Sequence, residues 1–222
     1  MINNNLFKRV YVWSGALRIY HWAFALSIIT LILTGLYIHE PWMTSLLGEY
    51  KPSYVMLTMR YLHFVAAYFF IAAILIRFYL FFFGNKYEKP TDYLPINSKN
   101  LRLLKEDIKF KLYLTDHCEE KLGHVILAGI TYFLVFIAGL VMIISGLYML
   151  YPEVSVFKKL GHLFFGTQQT ARNIHYLLFY FFSLFVIIHL YILVWTELRT
   201  HESIISSIFS GYKFAKVDKK ED

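Results

Sequence analysis

Four long apolar segments constrain the fold of this chain more than any other feature. They run over residues 19–38, 54–83, 124–151 and 172–196. Each reaches the length of about 20 residues that a helix needs to cross the hydrocarbon core of a bilayer. A spanning segment finds no water for its backbone there, so it satisfies its own hydrogen bonds as a helix. The sequence therefore predicts an all-α membrane protein, a bundle of four transmembrane helices in a single domain of residues 1–222.

The composition supports a membrane protein and argues against binding of nucleic acid. Of the 222 residues, 58% are hydrophobic and 17% are charged, whereas soluble domains average about 45–50% apolar and about 25% charged residues. The net charge of +7 comes from basic residues that stand between the apolar runs. The single cysteine, Cys118, excludes a disulfide framework and a cysteine-ligated cluster within the chain. We expect the chain to be embedded in the lipid bilayer and not to bind nucleic acid.

The distribution of lysine and arginine predicts the orientation of the helices. Of the 22 such residues, 17 lie in or near the N-terminus, the loop 84–123 and the tail 197–222. Cytoplasmic loops carry the excess of Lys and Arg. We therefore expect a multi-pass protein of the bacterial cytoplasmic (inner) membrane with both termini in the cytoplasm. Within the loop, residues 100–114 are either an amphipathic helix on the membrane surface or a solvated connector, and the end of the tail is expected to be disordered.

Four histidines fall at depth within the apolar segments, namely His21, His63, His175 and His189. Ionisable residues inside a bilayer are rare and usually functional, although a single histidine can also serve simply to pack two helices together. His175 and His189 are 14 residues apart, which is about 21 Å of helical rise, and they face nearly the same side. The expected depths pair His63 with His175 near the outer surface, and His21 with His189 near the cytoplasm.

Two stacked pairs of histidines predict two b-type haems, each with imidazole on both axial positions. Zinc fits these pairs less well, because two histidines at each level do not complete a tetrahedral site. A haem with both axial positions filled offers no open site to a substrate or to oxygen, which favours electron transfer over activation of a ligand.

An arginine stands three residues before three of these histidines, at Arg18, Arg60 and Arg172. Residues i and i+3 share a helix face, and a guanidinium can bind a carboxylate with two hydrogen bonds. We therefore interpret Arg60 and Arg172 as partners of the outer haem's propionates, and Arg18 as a partner of the inner one's. The alternative is that each cation snorkels to the headgroups, and this alternative is strongest for Arg18.

His124, which opens the third apolar segment, is a candidate for a quinone site near the inner haem. Reduction of a quinone needs a hydrogen-bond donor and a source of protons, and histidine can supply both. A capping or surface role is the alternative. We expect His39 to lie at the outer membrane interface and His162 to be available for contact with a partner. Four glycines are expected to allow close approach of a helix or a cofactor, namely Gly35, Gly129, Gly139 and Gly146.

Five segments spread over nearly the whole chain carry a resemblance to a known family. They are RIYHWAFALSIITLILTGLYI, MRYLHFVAAYFF, FFGNKYEKP, RNIHYLLFYFFSLFVIIHLY and HESIISSIFSGYK. Together they resemble the cytochrome b subunits of membrane-bound nickel–iron hydrogenases. The resemblance implies that the four histidines ligate two haem b groups. The third segment departs from the family pattern, because Val125 follows His124 where an asparagine is frequent.

The resemblance also implies a role. The chain would anchor the small and large subunits of a hydrogenase on the periplasmic side. It would pass electrons from the small subunit's iron–sulfur clusters to menaquinone or ubiquinone, while the hydrogen chemistry takes place in another chain.

Two alternatives remain open at this point. A cytochrome b subunit of a formate dehydrogenase or thiosulfate reductase shares the plan of four helices and two haems, although FGNKYEKP and SIISSIFSGYK favour the hydrogenase. A membrane anchor or transporter without redox chemistry is the second alternative, and such a protein would not need intramembrane histidines paired by depth.

Overall fold

The computed structural model describes residues 7–41, 52–115, 122–200 and 203–216. The elements in chain order are β1 (Phe7–Tyr11), α1 (Gly15–His39), α2 (Pro52–Phe83), α3 (Pro90–Tyr93), α4 (Ser98–Lys111), α5 (Ile126–Leu150), α6 (Ser155–Phe165), α7 (Gln168–Thr200), α8 (Ile204–Ser210) and β2 (Tyr212–Lys216). Cys118 and the expected disordered end of the tail lie outside these residues.

Four of the helices are long and apolar enough to cross a membrane, namely α1, α2, α5 and α7. This confirms the predicted fold class of a helical membrane protein with four spans. Helices α1 and α7 each begin four residues before the predicted start, because a hydroxyl caps each of them. The Ser14 hydroxyl accepts a hydrogen bond from the Leu17 amide at 3.1 Å, and the Thr167 hydroxyl accepts one from the Thr170 amide at 3.1 Å.

The chain divides into two compact units. Unit 1 contains residues 1–19, 76–134 and 189–222, and unit 2 contains residues 20–75 and 135–188.

In unit 1 the two ends of the chain pair with each other. Strands β1 and β2 are antiparallel, with Tyr11 opposite Tyr212, and the Trp13 indole donates a buried hydrogen bond to the Ser207 hydroxyl at 3.1 Å. Gly211 lies between α8 and β2 with φ +87°, where a Cβ would come within 2.7 Å of the Tyr11 ring. Only glycine adopts this backbone without strain. We call residues 7–13 and 207–216 the terminal clasp, which the sequence analysis did not predict.

The loop between α2 and α5 folds against the same unit. Its predicted amphipathic helix is present as α4, which the Asn97 side chain caps by accepting a hydrogen bond from the Asn100 amide at 2.8 Å. Leu112 to Leu114 lie beyond the end of α4, so the helix stops three residues earlier than predicted. Glu88 is fully buried and accepts hydrogen bonds from the Ser14 amide at 2.9 Å and the Asn85 amide at 3.0 Å.

Replacing Glu88 with alanine is expected to destabilise unit 1 by on the order of 3 kcal/mol, because it leaves two partly buried amide donors without their acceptor. Thermal unfolding of the detergent-solubilised protein would report this as a lower melting temperature. Glu106→Ala is the matched control, since the ion pair of Glu106 with Arg102 at 3.7 Å is exposed and contributes little. Equal melting temperatures of the two variants would contradict the prediction.

Unit 2 packs aromatic and small residues of its helices against one another. Phe24 stacks on Phe70 with 4.9 Å between ring centroids, and the edge of Phe182 meets Phe70 at 6.0 Å. A Cβ on Gly139 would approach Ile74 to 3.0 Å, so this glycine permits close helix packing as expected. The loop expected after α5 instead contains helix α6, on which His162 is exposed.

Candidate functional site

The structure brings His63 and His175 together in unit 2. His63 lies on α2 and His175 on α7, and both side chains are half-buried. The two rings interact electrostatically, and their joint binding of a haem stays a prediction.

Each of these rings is held through its Nδ1 atom by a hydroxyl on another helix. Thr34 Oγ1 on α1 lies 2.9 Å from His63 Nδ1, and Ser145 Oγ on α5 lies 2.9 Å from His175 Nδ1. Both hydroxyl residues are buried. Because Nδ1 is occupied in each case, Nε2 is the nitrogen that remains for a metal.

A glycine follows each hydroxyl residue and lies against the edge of the same ring. A Cβ on Gly35 would stand 3.4 Å from His63 Cε1, and a Cβ on Gly146 would stand 3.4 Å from His175 Cε1. Any side chain longer than a methyl at these positions would therefore push into the ring. The glycines expected to allow close approach do so here toward the histidines themselves.

The hydroxyl and the glycine belong to a short sequence motif that occurs twice. The first copy is Thr34-Gly35-Leu36-Tyr37 and the second is Ser145-Gly146-Leu147-Tyr148. The hydroxyl residue precedes its histidine by 29 positions in one half and by 30 in the other. This repeat was not predicted, although the strings TGLY and SGLY are each followed further along the chain by R-x-x-H and were a visible signal for it. We call these two stretches the hydroxyl–glycine motifs.

The donor set fits a haem better than a bare metal ion. Among the described residues, no group of three or more His, Cys, Asp or Glu side chains is placed to hold an ion. Two imidazoles with free Nε2 atoms suit the two axial positions of a haem iron, and the glycines leave the ring edges uncrowded.

The other two histidines fall in different units. His21 lies in unit 2, where the edge of the Trp22 ring meets its own at 5.3 Å. His189 lies in unit 1, where the Tyr132 hydroxyl stands 3.5 Å from its Nδ1. Their pairing stays a prediction from their depths in the sequence.

The three arginines have different surroundings. Arg60 and Arg172 are exposed, and Arg172 Nη1 donates a hydrogen bond to Gln169 Oε1 at 3.3 Å. Arg18 donates through Nη1 to the Phe209 carbonyl at the terminal clasp, a partner that the sequence did not indicate. Contact with haem propionates stays a prediction for all three.

His124 stands in a cluster of aromatic rings within unit 1. The centroid of Trp13 lies 4.6 Å from that of the imidazole, and those of Tyr93 and Tyr132 lie 5.4 Å from it. Tyr93 fits closely because position 129 is glycine, where a Cβ would come within 2.4 Å of it. We call Trp13, Tyr93, His124 and Tyr132 the inner aromatic cluster.

A buried arginine, Arg77, supports this cluster. In the sequence it contributed only to the count of charges that predicts the orientation. Arg77 is 5% exposed and donates a hydrogen bond to the Tyr93 hydroxyl at 3.0 Å, with its guanidinium over the Phe81 ring. Burial raises the pKa of Tyr93, although the nearby guanidinium of Arg77 acts in the opposite direction. On the clasp side, Lys213 donates to the Gly123 carbonyl at 3.3 Å. The surroundings of His124, which could not be predicted from the sequence, are thus cationic as well as aromatic.

These features define a class: a multi-pass helical membrane protein that presents paired imidazoles within its spans. Residues 12–211 match the family described as prokaryotic cytochrome b561, and the chain belongs to that family of helical, haem-binding membrane proteins.

Three curated relatives match the chain over nearly its full length. A probable Ni/Fe-hydrogenase B-type cytochrome subunit of Azotobacter vinelandii is 29% identical over 96% of this chain and 91% of the relative. The protein of the same name in Rhizobium leguminosarum bv. viciae is 31% identical over 94% of the chain and 90% of its own length. A probable Ni/Fe-hydrogenase 1 B-type cytochrome subunit of Escherichia coli (strain K12) is 30% identical over 95% of the chain and 94% of its own.

Proposed function

We propose that this chain is the di-haem cytochrome b subunit of a membrane-bound nickel–iron hydrogenase and that it delivers electrons to membrane quinone. The names of the relatives support the association with a hydrogenase. The observation that carries the redox role is the pair His63 and His175, each fixed at Nδ1 by a hydroxyl on a neighbouring helix.

In this proposal His63 and His175 hold the outer haem b, and His21 and His189 hold the inner one. Bound haem supplies reversible one-electron chemistry between ferric and ferrous iron. The protein contributes the four imidazoles, the space beside Gly35 and Gly146, and the cations Arg18, Arg60 and Arg172 for propionates.

The inner aromatic cluster is the proposed quinone site. Its imidazole, His124, and the phenol of Tyr132 offer hydrogen-bond donors to a quinone carbonyl. Tyr132 also lies 3.5 Å from Nδ1 of His189, a proposed ligand of the inner haem. The buried cation Arg77 favours the negative charge that develops on a quinone during reduction.

The proposed orientation places both termini in the cytoplasm and the hydrogenase small and large subunits in the periplasm, at the bacterial inner membrane. The pairing of β1 with β2 supports two termini on one side, as four spans require. The excess of Lys and Arg around those termini supports the cytoplasmic side.

The whole proposal is tested by purifying the chain with its partners and adding hydrogen. We expect two b-type haems per chain, co-purification of a hydrogenase, and reduction of both haems by hydrogen followed by reduction of quinone. Reduction by formate or the copurification of a thiosulfate reductase would favour that alternative subunit instead. Absence of haem would favour an anchor or transporter.

Replacing His124 with leucine is expected to slow quinone reduction by about 100-fold or more, because a positioned proton donor contributes on that scale. The absorption spectrum of both haems should stay unchanged. His162→Leu is the control, since His162 is exposed on α6 and belongs to unit 2. If His124→Leu reduced quinone as fast as His162→Leu, His124 would not be part of the quinone site.

A further inference from the structure

We propose that Thr34 and Ser145 are positioning residues that fix the tautomer of the two outer histidines and thereby lower the potential of the haem they hold. The inference rests on the proposed function, because it needs His63 and His175 to be axial ligands. It concerns the hydroxyls of the hydroxyl–glycine motifs, which contact the two histidines at Nδ1.

The direction of each hydrogen bond follows from where the hydroxyl proton goes. Thr34 Oγ1 donates to the Thr30 carbonyl of its own helix at 2.7 Å, and Ser145 Oγ donates to the Met142 carbonyl at 3.0 Å. A hydroxyl has one proton to give but two lone pairs with which to accept. Each oxygen therefore accepts from the imidazole, and the proton of the ring sits on Nδ1. With Nδ1 protonated, Nε2 of each ring carries the lone pair that iron needs.

Unlike a water molecule, each hydroxyl is held in a fixed position by the helix that carries it. Each is bonded to the carbonyl one turn earlier on its own helix, a common arrangement for Ser and Thr in apolar helices, so its lone pairs point in a fixed direction. Partners of this kind orient a metal-bound histidine and raise its basicity. A more basic ligand stabilises ferric iron over ferrous iron, which lowers the reduction potential.

In the proposed function the outer haem is the first to receive electrons, and the short, anchored bonds of Thr34 and Ser145 act on that haem. A lower potential there favours onward transfer to the inner haem.

The test uses Thr34→Val, which keeps the side-chain shape without the hydroxyl, and Ser145→Ala in the full complex. In redox titrations we expect the midpoint potential of one haem to rise in each variant while the other stays fixed. The low-spin electron paramagnetic resonance signal of that haem should shift, and its retention against apomyoglobin should fall about 10- to 100-fold. Thr34→Ser should restore the wild-type titration.

Two other hydroxyl residues of α1 provide matched controls. Thr30→Val removes a hydroxyl that bonds the Leu26 carbonyl, and Ser27→Ala removes one that bonds the Phe24 carbonyl. Thr34→Val and Ser145→Ala titrating like these controls would overturn the inference. Loss of the outer haem from either variant, with retention in Thr34→Ser, would support it.

Failure of the proposed function has a separate signature. If the wild-type protein lacked two low-spin haems, the proposed function would be wrong. If the wild-type protein held both haems but the hydroxyl variants titrated like the controls, only the inference about Thr34 and Ser145 would be wrong.

Discussion

Replacing His63 with alanine is expected to reduce the haem content from two per chain to one. In the proposed function His63 is one of the two imidazole ligands of the outer haem, and the neighbouring Thr34 hydroxyl cannot replace a nitrogen ligand. The pyridine haemochrome assay on purified protein would give the ratio. Redox titration should then show a single transition, that of the inner haem.

His39→Ala is the matched control for this experiment. His39 is exposed at the outer end of α1 and stacks on the Tyr176 ring at 4.1 Å, so its loss should leave both haems in place. His175→Ala should reproduce the His63 result, because the two imidazoles serve one site. Two haems retained in His63→Ala would contradict the pairing.

Replacing His189 with alanine is expected to abolish quinone reduction while the outer haem still accepts electrons from the hydrogenase. The proposed route to the inner aromatic cluster passes through the haem that His189 holds with His21. Stopped-flow spectroscopy with hydrogen as donor would show one haem reduced and no quinol formed.

Tyr191→Ala provides the control, since Tyr191 is 64% exposed two residues further along α7. It should retain two haems and normal quinone reduction. A His189→Ala protein that still forms quinol would show that electrons leave through the outer haem, or that His189 is no ligand.

The sequence was sufficient for the spans because burial of backbone in hydrocarbon leaves few options. Twenty apolar residues in a row form a helix wherever they occur. The ends were less accurate, since the polar first turns of α1 and α7 depend on the hydroxyls of Ser14 and Thr167. A search for apolar runs does not detect such caps.

The pairing of His63 with His175 stays a prediction from depth, which the fixed helix rise and the alternating direction of the spans make possible. The hydroxyl partners of these histidines could not be predicted from the sequence. Whether Thr34 meets His63 depends on how α1 and α2 rotate about their axes, and packing sets that rotation. The Arg18 contact with the Phe209 carbonyl spans 191 positions and has no local signature.

The terminal strands were missed for a related reason. Each has five residues, and an isolated strand of that length has little stability until a partner is present. Pairing between distant segments leaves no periodic pattern in the short segments themselves.

The terminal clasp has a consequence for biosynthesis. Strand β1 pairs with residues about 200 positions later, which a ribosome adds over roughly 10 to 40 seconds. Trp13 contacts both Ser207 and the His124 ring, and its contact with Ser207 forms only after all four spans have been synthesised. The membrane insertion machinery thus handles an open intermediate, and the surroundings of His124 are completed only when translation nears its end. A ribosome stalled after α7 would leave a chain with all four spans and an unfinished inner end.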